Sequence, residues 1–374
     1  MPVDQEYIYS LLRKYKDRTA TEAEKEELVS WYRQRAERDS VFPEDEHVVG
    51  ESMRARLHHE ITRPQREYRR QWLAAASILL VIGVGVGLYL RPTVLTEPGD
   101  ITPGSHKAVL VLVDGTKISL TEAANGNIAS QENIQITKSG DGQLIYTLTP
   151  RSKGAAPTSG YNTIETPKGG QYQVVLPDGS KIWLNAYSSL RLPLNFSEGT
   201  ERRVELKGEA YFEVSHQPTR PFTVVSGQHA VQVLGTHFNV KAYADEADIK
   251  TSLLEGKVRV TAGTHSVTLA PGQQSRLVAE NITVVEVDTR EAVAWKDGYF
   301  RFDEERLEDI MRSVARWYDV DVVFENDALK EETFGAVTTR FTRISTLLEI
   351  MEQTGDVQFR VEGKTIHISS KQPA

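Results

Sequence analysis

Residues 174–184 read VVLPDGSKIWL. Two apolar runs flank a Pro-Asp-Gly-Ser turn signal, and Asp178-Gly179 supplies the positive φ angles of a tight hairpin turn. The stretch therefore predicts two antiparallel strands. Nearly the same text stands earlier in the chain: LVDGTKISL at 112–120 agrees with LPDGSKIWL at 176–184 at six of nine positions, with Asp114-Gly115 in the turn. Asp178 and Lys181 could pass for a catalytic pair, but the turn chemistry accounts for them more simply. RRVELKGEAYFEV at 202–214 and SLLEGKVRV at 252–260 continue the pattern, with turn signals about every 8–12 residues. Residues 107–288 are thus predicted to be all-β, as a sandwich, a roll or a short β-solenoid. The Pro/Gly/Ser-rich stretch PRSKGAAPTSG at 150–160 is expected to separate an N-terminal β subregion from the main β domain.

Downstream the period changes. GYFRF at 298–302 is strand-like. Leu307, Ile310, Met311, Val314 and Trp317 then fall on one helical stripe. Val320, Val322 and Phe324 alternate as a strand, and TFGAVTT at 333–339 is strand-like again. Ile344, Leu347, Leu348 and Met351 form a second stripe, followed by alternating Val357, Phe359 and Val361 and by Ile366 and Ile368. The order predicts a C-terminal α+β domain over 289–374, made of two βαβ half-repeats.

Upstream, residues 72–90 read WLAAASILLVIGVGVGLYL, with no charge. At 1.5 Å per residue a helix of that length spans about 28 Å, close to the roughly 30 Å hydrocarbon core of a bilayer. The stretch predicts one transmembrane helix. Arg54, Arg56, Arg63, Arg66, Arg69 and Arg70 precede it, whereas Arg91 is the only basic residue between it and Lys107. Basic flanks stay in the cytoplasm, so the expected topology is single-pass in the inner membrane, with the N-terminus inside and the C-terminal part in the periplasm. Gly83 and Gly87 form a GxxxG that would let two such helices approach as a homodimer. Residues 91–106, with Pro92, Pro98, Pro103, Gly99 and Gly104, read as a linker.

Residues 1–71 are predicted to be a small all-α domain. Ile8, Leu11, Leu12 and Tyr15 share a helix face. Thr21 followed by Glu24 is a capping-box signature for a helix carrying Leu28, Trp31 and Tyr32 on one side. A unit this small barely makes its own core, so these apolar residues can serve either a self-contained bundle or a partner.

Chemistry is sparse. The 374 residues contain no cysteine and 44 Lys/Arg against 52 Asp/Glu, a formal net charge of −8. That excludes disulfides and thiolate chemistry and argues against a nucleic-acid coat. No HExxH, GxSxG or GxGxxG occurs, and Gly363-Lys364-Thr365 lacks the first glycine of a phosphate loop, since residue 358 is Gln. His58-His59 and the scattered His216, His229, His237 and His265 lack ligand spacing. Glu209 and Glu213 can share a strand face, beside Glu205 and Glu255, but a glycosidase pair needs a separation of roughly 5–10 Å. No enzyme, metal or cofactor is expected. Trp183, Trp295 and Trp317 on a β scaffold leave a membrane-tethered carbohydrate-binding protein as the alternative.

The run GGQYQVVLPDGSKIWLNAYSSLRLP, with VELKGEAYFEV, PFTV, VLGTHFNVKAY and LLEGKV, closely resembles the FecR family of transmembrane anti-sigma factors. The tail AWKDGYFRF…LEDIMRSVARWYDVDVVF looks like the C-terminal domain of Bacteroidetes-type members, which is similar to the secretin/TonB short N-terminal fold. The resemblance implies that the cytoplasmic helices bind an extracytoplasmic-function sigma factor, with Leu11, Leu12, Tyr15, Leu28, Trp31 and Tyr32 as the candidate contact residues. It implies a periplasmic signal from the signalling domain of an outer-membrane TonB-dependent transporter. It also suggests self-cleavage between Gly235 and Thr236, in which the Thr hydroxyl would attack the preceding carbonyl.

Overall fold

The two echoed stretches at 112–120 and 176–184 fold alike in a computed structural model, which describes Lys14, Thr21, Ala23, Glu24 and residues 100–131, 133–150 and 160–371. At the first, the Leu112 N–H donates to Thr116 O and the Gly115 N–H to Leu112 O; at the second, the Leu176 N–H donates to Ser180 O and the Gly179 N–H to Leu176 O, all four at 2.8–2.9 Å. Both glycines have φ of 84°. Only the glycine of each Asp-Gly pair carries a positive φ, so the turn is the three-residue type with a glycine bulge rather than the two-residue type.

Strands of this kind build two sheets around one core. One sheet runs, in spatial order, through Lys117–Ser119, Val109–Val111, Tyr161–Thr166, Ser188–Pro193, the first half of Arg202–Glu213, Phe222–Ser226, His229–Val233, Val258–Ala262 and His265–Leu269. The other runs through Gly126–Gln131, Ile134–Lys138, Leu144–Leu148, Gly170–Val175, Lys181–Leu184, the second half of Arg202–Glu213, His237–Ala242, Ile249–Glu255, Gln273–Val278 and Asn281–Glu286. Arg202–Glu213 belongs to both. It changes sheet at Gly208, whose φ is 85° and whose Cα sits so close to Ser188 that a methyl group would meet Ser188 Oγ at 2.4 Å. Alternation then puts Val204, Leu206, Phe212, Phe238, Val240 and Leu253 in the shared core.

The C-terminal part has helices α1 (Thr289–Val293), α2 (Leu307–Tyr318) and α3 (Ile344–Thr354). The apolar stripes of α2 and α3 are buried together with Val357, Ile366 and Ile368. The halves do not stand as separate βαβ repeats. The opening strands of the two halves, Tyr299–Arg306 and Thr333–Thr339, pair with each other antiparallel. Asp321–Phe324 crosses over to run parallel to Thr365–Ser370, which in turn pairs antiparallel with Val357–Glu362.

The expected fold class needs correction. Among the described residues the chain is mostly β, about half in strands and 14% helical, and no helix is long and apolar enough to cross a membrane. The longest, α2, has 12 residues and spans about 18 Å at 1.5 Å per residue, well short of the roughly 30 Å required. A small all-α domain is not among the described elements. The stretches expected to form it and the spanning helix, 1–71 and 72–90 with Gly83 and Gly87, lie outside the described residues apart from four positions. Two compact units divide the chain, Met1–Pro92 and Thr93–Ala374. Within the first, the capping box is formed: the Thr21 N–H donates to the Glu24 carboxylate at 2.8 Å and the Glu24 N–H to Thr21 Oγ1 at 3.4 Å. Lys14 pairs with the same carboxylate at 2.7 Å. The Lys14 contact first, then the bonds that the Thr21 N–H and hydroxyl donate to the carboxylate, hold the Glu24 carboxyl down at about 2.

Candidate functional site

The second unit joins its β sandwich to its C-terminal α+β domain through two arginines, both supplied by the α+β domain. Arg340, just past the strand Thr333–Thr339, is 2% exposed. Its guanidinium donates to Trp295 O at 2.9 Å and to Asn185 Oδ1 at 3.1 Å, and stacks 3.5 Å from the centroid of the Trp317 ring. Asn185 passes the contact on. Its amide donates to Glu209 at 2.8 Å, Asn239 donates to the other oxygen of Glu209 at 2.9 Å, and Trp295 Nε1 donates to Asn239 at 3.2 Å. A buried carboxylate is thereby satisfied by neutral amides, with a guanidinium one residue away. Burial pulls the pKa of Arg340 down to about 10, so it remains charged at neutral pH.

Arg316, on α2, is the second anchor. It pairs with Glu246 at 2.5 Å and Asp245 at 2.7 Å, and lies 3.6 Å over the ring of Tyr243. Glu246 also holds Lys241 at 3.0 Å. Burial alone would push the Glu246 carboxyl up, but Lys241 and Arg316 outweigh it and the net shift is downward. Burial works against the Lys241 ammonium in turn, and Glu246 and the other acids nearby raise its pKa despite it. The triad stays ionised because each charge has a partner.

A strap completes the seam. Asp100 accepts from Ser345 Oγ at 3.0 Å and faces Arg343 at 3.7 Å, at the start of α3. Ile101 packs on the α+β core, and its carbonyl accepts from the Ile344 N–H at 3.2 Å. Gly104 lies flat on Trp317, where a methyl group would come within 2.8 Å of the ring and the main-chain oxygen. Ser105–His106 then runs parallel to Gly170–Gln171 of the sandwich. The described end of the expected linker is therefore tied to both domains.

The sequence-derived site residues fare unevenly. Leu11, Leu12, Tyr15, Leu28, Trp31 and Tyr32 lie outside the described residues. Gly235 and Thr236 sit at a bend after His229–Val233. Thr236 is 3% exposed, and its hydroxyl donates to Lys257 O at 3.2 Å. Asp178, besides its turn contacts, pairs with Arg202 at 2.7 Å. Glu209 and Glu213 do share a strand face, but four residues of strand separate them by about 13 Å, outside the glycosidase range. Trp317 and Trp295 are buried, and Lys296 covers Trp183 at 5.3 Å, so none of the three offers an open platform for a sugar. Among the described residues no cluster of His, Asp or Glu is placed to hold a metal ion. Sequence reading missed Arg316 and Arg340. Their partners are 70 and 155 residues away in the chain, and only folding reveals such pairs.

Two domain families match the chain in order: FecR protein over residues 162–259 and FecR, C-terminal, over residues 299–368. Two crystal structures of a candidate anti-sigma factor from Parabacteroides distasonis ATCC 8503 are similar to it. Each is 27% identical with a TM-score of 0.53; one match covers 56% of this chain and 99% of that one, the other 57% and 100%. No curated protein matches the chain.

Proposed function

Because the chain is a member of the FecR family, we propose that it is an anti-sigma factor that holds an extracytoplasmic-function sigma factor until a signal reaches its C-terminal domains. The observation that carries this reading is the pair of family domains in order along the chain, together with the likeness to the candidate Parabacteroides anti-sigma factor over nearly all of that crystallised chain. On this reading the protein is a membrane-associated regulator rather than an enzyme. Residues 1–71 bind the sigma factor, with Leu11, Leu12, Tyr15, Leu28, Trp31 and Tyr32 in contact. Residues 107–288 and 289–374 take the signal from the signalling domain of an outer-membrane TonB-dependent transporter. The strap Asp100–His106 supports the proposal physically. It follows the expected span 72–90 in the chain, and it is bonded to α3 and to the sandwich alike, so a change at either domain reaches it.

The test is co-purification of sigma factor with the full chain. Wild type is expected to retain one, and Trp31→Ala to retain less than a tenth as much, since a buried aromatic anchor contributes about 2 kcal/mol or more to binding. A full-length protein that captures no sigma factor overturns the reading. Unchanged capture by a folded Trp31→Ala variant overturns the contact assignment alone.

A further inference from the structure

The two-stranded sheet of Tyr299–Arg306 and Thr333–Thr339 leaves the outer edge of its second strand open. The Arg340 N–H donates to Gly298 O at 3.0 Å, and the Leu307 N–H donates to Glu332 O at 2.7 Å. Residues 332 and 340 thus turn their backbone groups towards the neighbouring strand. In an antiparallel ladder both groups of one residue point the same way, and successive residues alternate. Thr333, Gly335, Val337 and Thr339 therefore turn theirs outward. All four are exposed, Val337 at 62%, and no described strand pairs with them.

Open edges invite pairing with another chain, and proteins normally guard them with charges, prolines or bulges. Elsewhere in this chain the guards are present. Lys117–Ser119, Asn281–Glu286, Asp321–Phe324 and Val357–Glu362 each carry a charged residue, and Gly126–Gln131 is bulged between Asn127 and Ala129. Thr333–Thr339 reads TFGAVTT, with no charge, no proline and no bulge of its own. Gly335 stands in mid-strand, the kind of position at which another backbone can approach closely. A methyl group there would meet nothing nearer than Phe302 O at 3.9 Å.

The strand is also complementary to itself. Turned antiparallel about a two-fold axis at Ala336, it sets Thr333 opposite Thr339 of a second copy and Gly335 opposite Val337. Threonine pairs are favourable cross-strand neighbours, and the valine fills the space beside the glycine. This is the register in which all four outward residues meet outward residues. A one-residue slip would face outward groups with inward ones and turn every side chain to the wrong face. Glu331 and Glu332 precede the strand and Arg343 follows it. Antiparallel pairing brings the acidic end of one copy beside the basic end of the other, whereas parallel pairing would bring like ends together.

We propose that the chain forms a two-fold homodimer through this edge, with Thr333–Thr339 of each copy paired antiparallel so that two two-stranded sheets become one. A second copy is the occupant because the edge is uncharged, matches itself over its whole length and places its oppositely charged flanks side by side. The proposal goes beyond the sigma-factor reading and does not depend on it. It is also separate from any approach of helices at Gly83 and Gly87.

The chain has no cysteine, so one introduced thiol reports the contact. Ala336→Cys opposes its own copy across the axis in a non-hydrogen-bonded pair, with Cα atoms about 4.5 Å apart, within disulfide range. Mild oxidation of the full chain carrying it is expected to give a covalent dimer. Tyr299→Cys, exposed on the neighbouring strand, is expected to give none. Adding Gly335→Lys and Val337→Lys sets like charges directly opposite one another at two places, and the cross-linked yield should fall at least about tenfold. Gly335→Lys with Val337→Glu sets opposite charges at the same places and should restore the yield. If Ala336→Cys does not fold, Val337→Cys with a short bismaleimide reads the same contact. The proposal is overturned by no cross-link at either position, by equal cross-linking of Tyr299→Cys, or by a yield that the two lysines leave unchanged. A dimer lost with both Gly335→Lys/Val337→Lys and Gly335→Lys/Val337→Glu overturns the register.

Discussion

The hairpins at 112–120 and 176–184 share six of nine residues, the same turn hydrogen bonds and the same glycine φ, yet they differ in what they hold. At the first, the exposed Asp114 accepts from the Thr116 N–H at 2.9 Å; that backbone bond, with the Thr116 side chain, lowers its pKa. At the second, Asp178 makes the same bond to the Ser180 N–H, takes the Ser180 hydroxyl at 2.8 Å, and pairs with Arg202. Arg202 is fully buried and also donates to Ser215 O and Arg220 O at 2.9 Å. One local code makes both turns, but only the second is built into the core. Local sequence sets geometry, and the tertiary partner sets the energetic weight.

Removing that partner is the most direct way to break the contrast. Arg202→Met strands the Asp178 carboxylate, and the loss expected is about 3–5 kcal/mol, as for other broken buried pairs. Urea unfolding measures it, and a loss below about 1 kcal/mol would make the two turns equivalent.

Acid titration separates the locked turn from a second buried group in the same sheet. His229 is 1% exposed, its Nδ1 has no partner, and burial lowers its pKa to about 4. The unfolded chain, with an imidazole near 6.5, takes up the proton first. Stability attributable to His229 is therefore complete above pH 6.5 and is lost as pH falls from 6.5 towards 4, by about 3 kcal/mol in all. His229→Phe should flatten that part of the stability–pH curve, while Arg202→Met should leave its shape there unchanged.

The glycines sharpen the comparison from the other side. Gly115→Ala and Gly179→Ala both force a side chain into the left-handed region, at about 1–2 kcal/mol each. The second should cost more, because its methyl group would meet Ser215 Oγ at 3.2 Å whereas nothing lies within 4 Å of the first. Equal melting temperatures for the two variants would contradict the difference in packing. The smallest effect is expected for Asp114→Asn. The amide oxygen can still accept from Thr116, and thermal melts should coincide with wild type.

Legibility in the sequence follows the same division. Asp178-Gly179, the α2 stripe from Leu307 to Trp317 and the Thr21/Glu24 cap all depend on residues within about ten positions, and period and turn chemistry report them directly. Arg202 with Asp178, Arg340 with Asn185 and Arg316 with Glu246 depend on contacts between distant segments, which composition does not encode. Each half of the α+β domain has the right element order, but the strands pair across the halves. The apolar stretch 72–90, read as a span, lies outside the described residues, whose longer helices are short elements packed on strands. His229 looked like one scattered histidine among several, because burial leaves no mark on a single residue.

The strand Arg202–Glu213, shared by both sheets, carries a kinetic consequence. Neither layer can peel away without breaking the ladder that completes the other, so partial opening of the sandwich is suppressed. Its central amides should exchange with deuterium only through whole-domain unfolding, and the sandwich should appear in denaturant as one cooperative transition rather than as two sheets melting in turn.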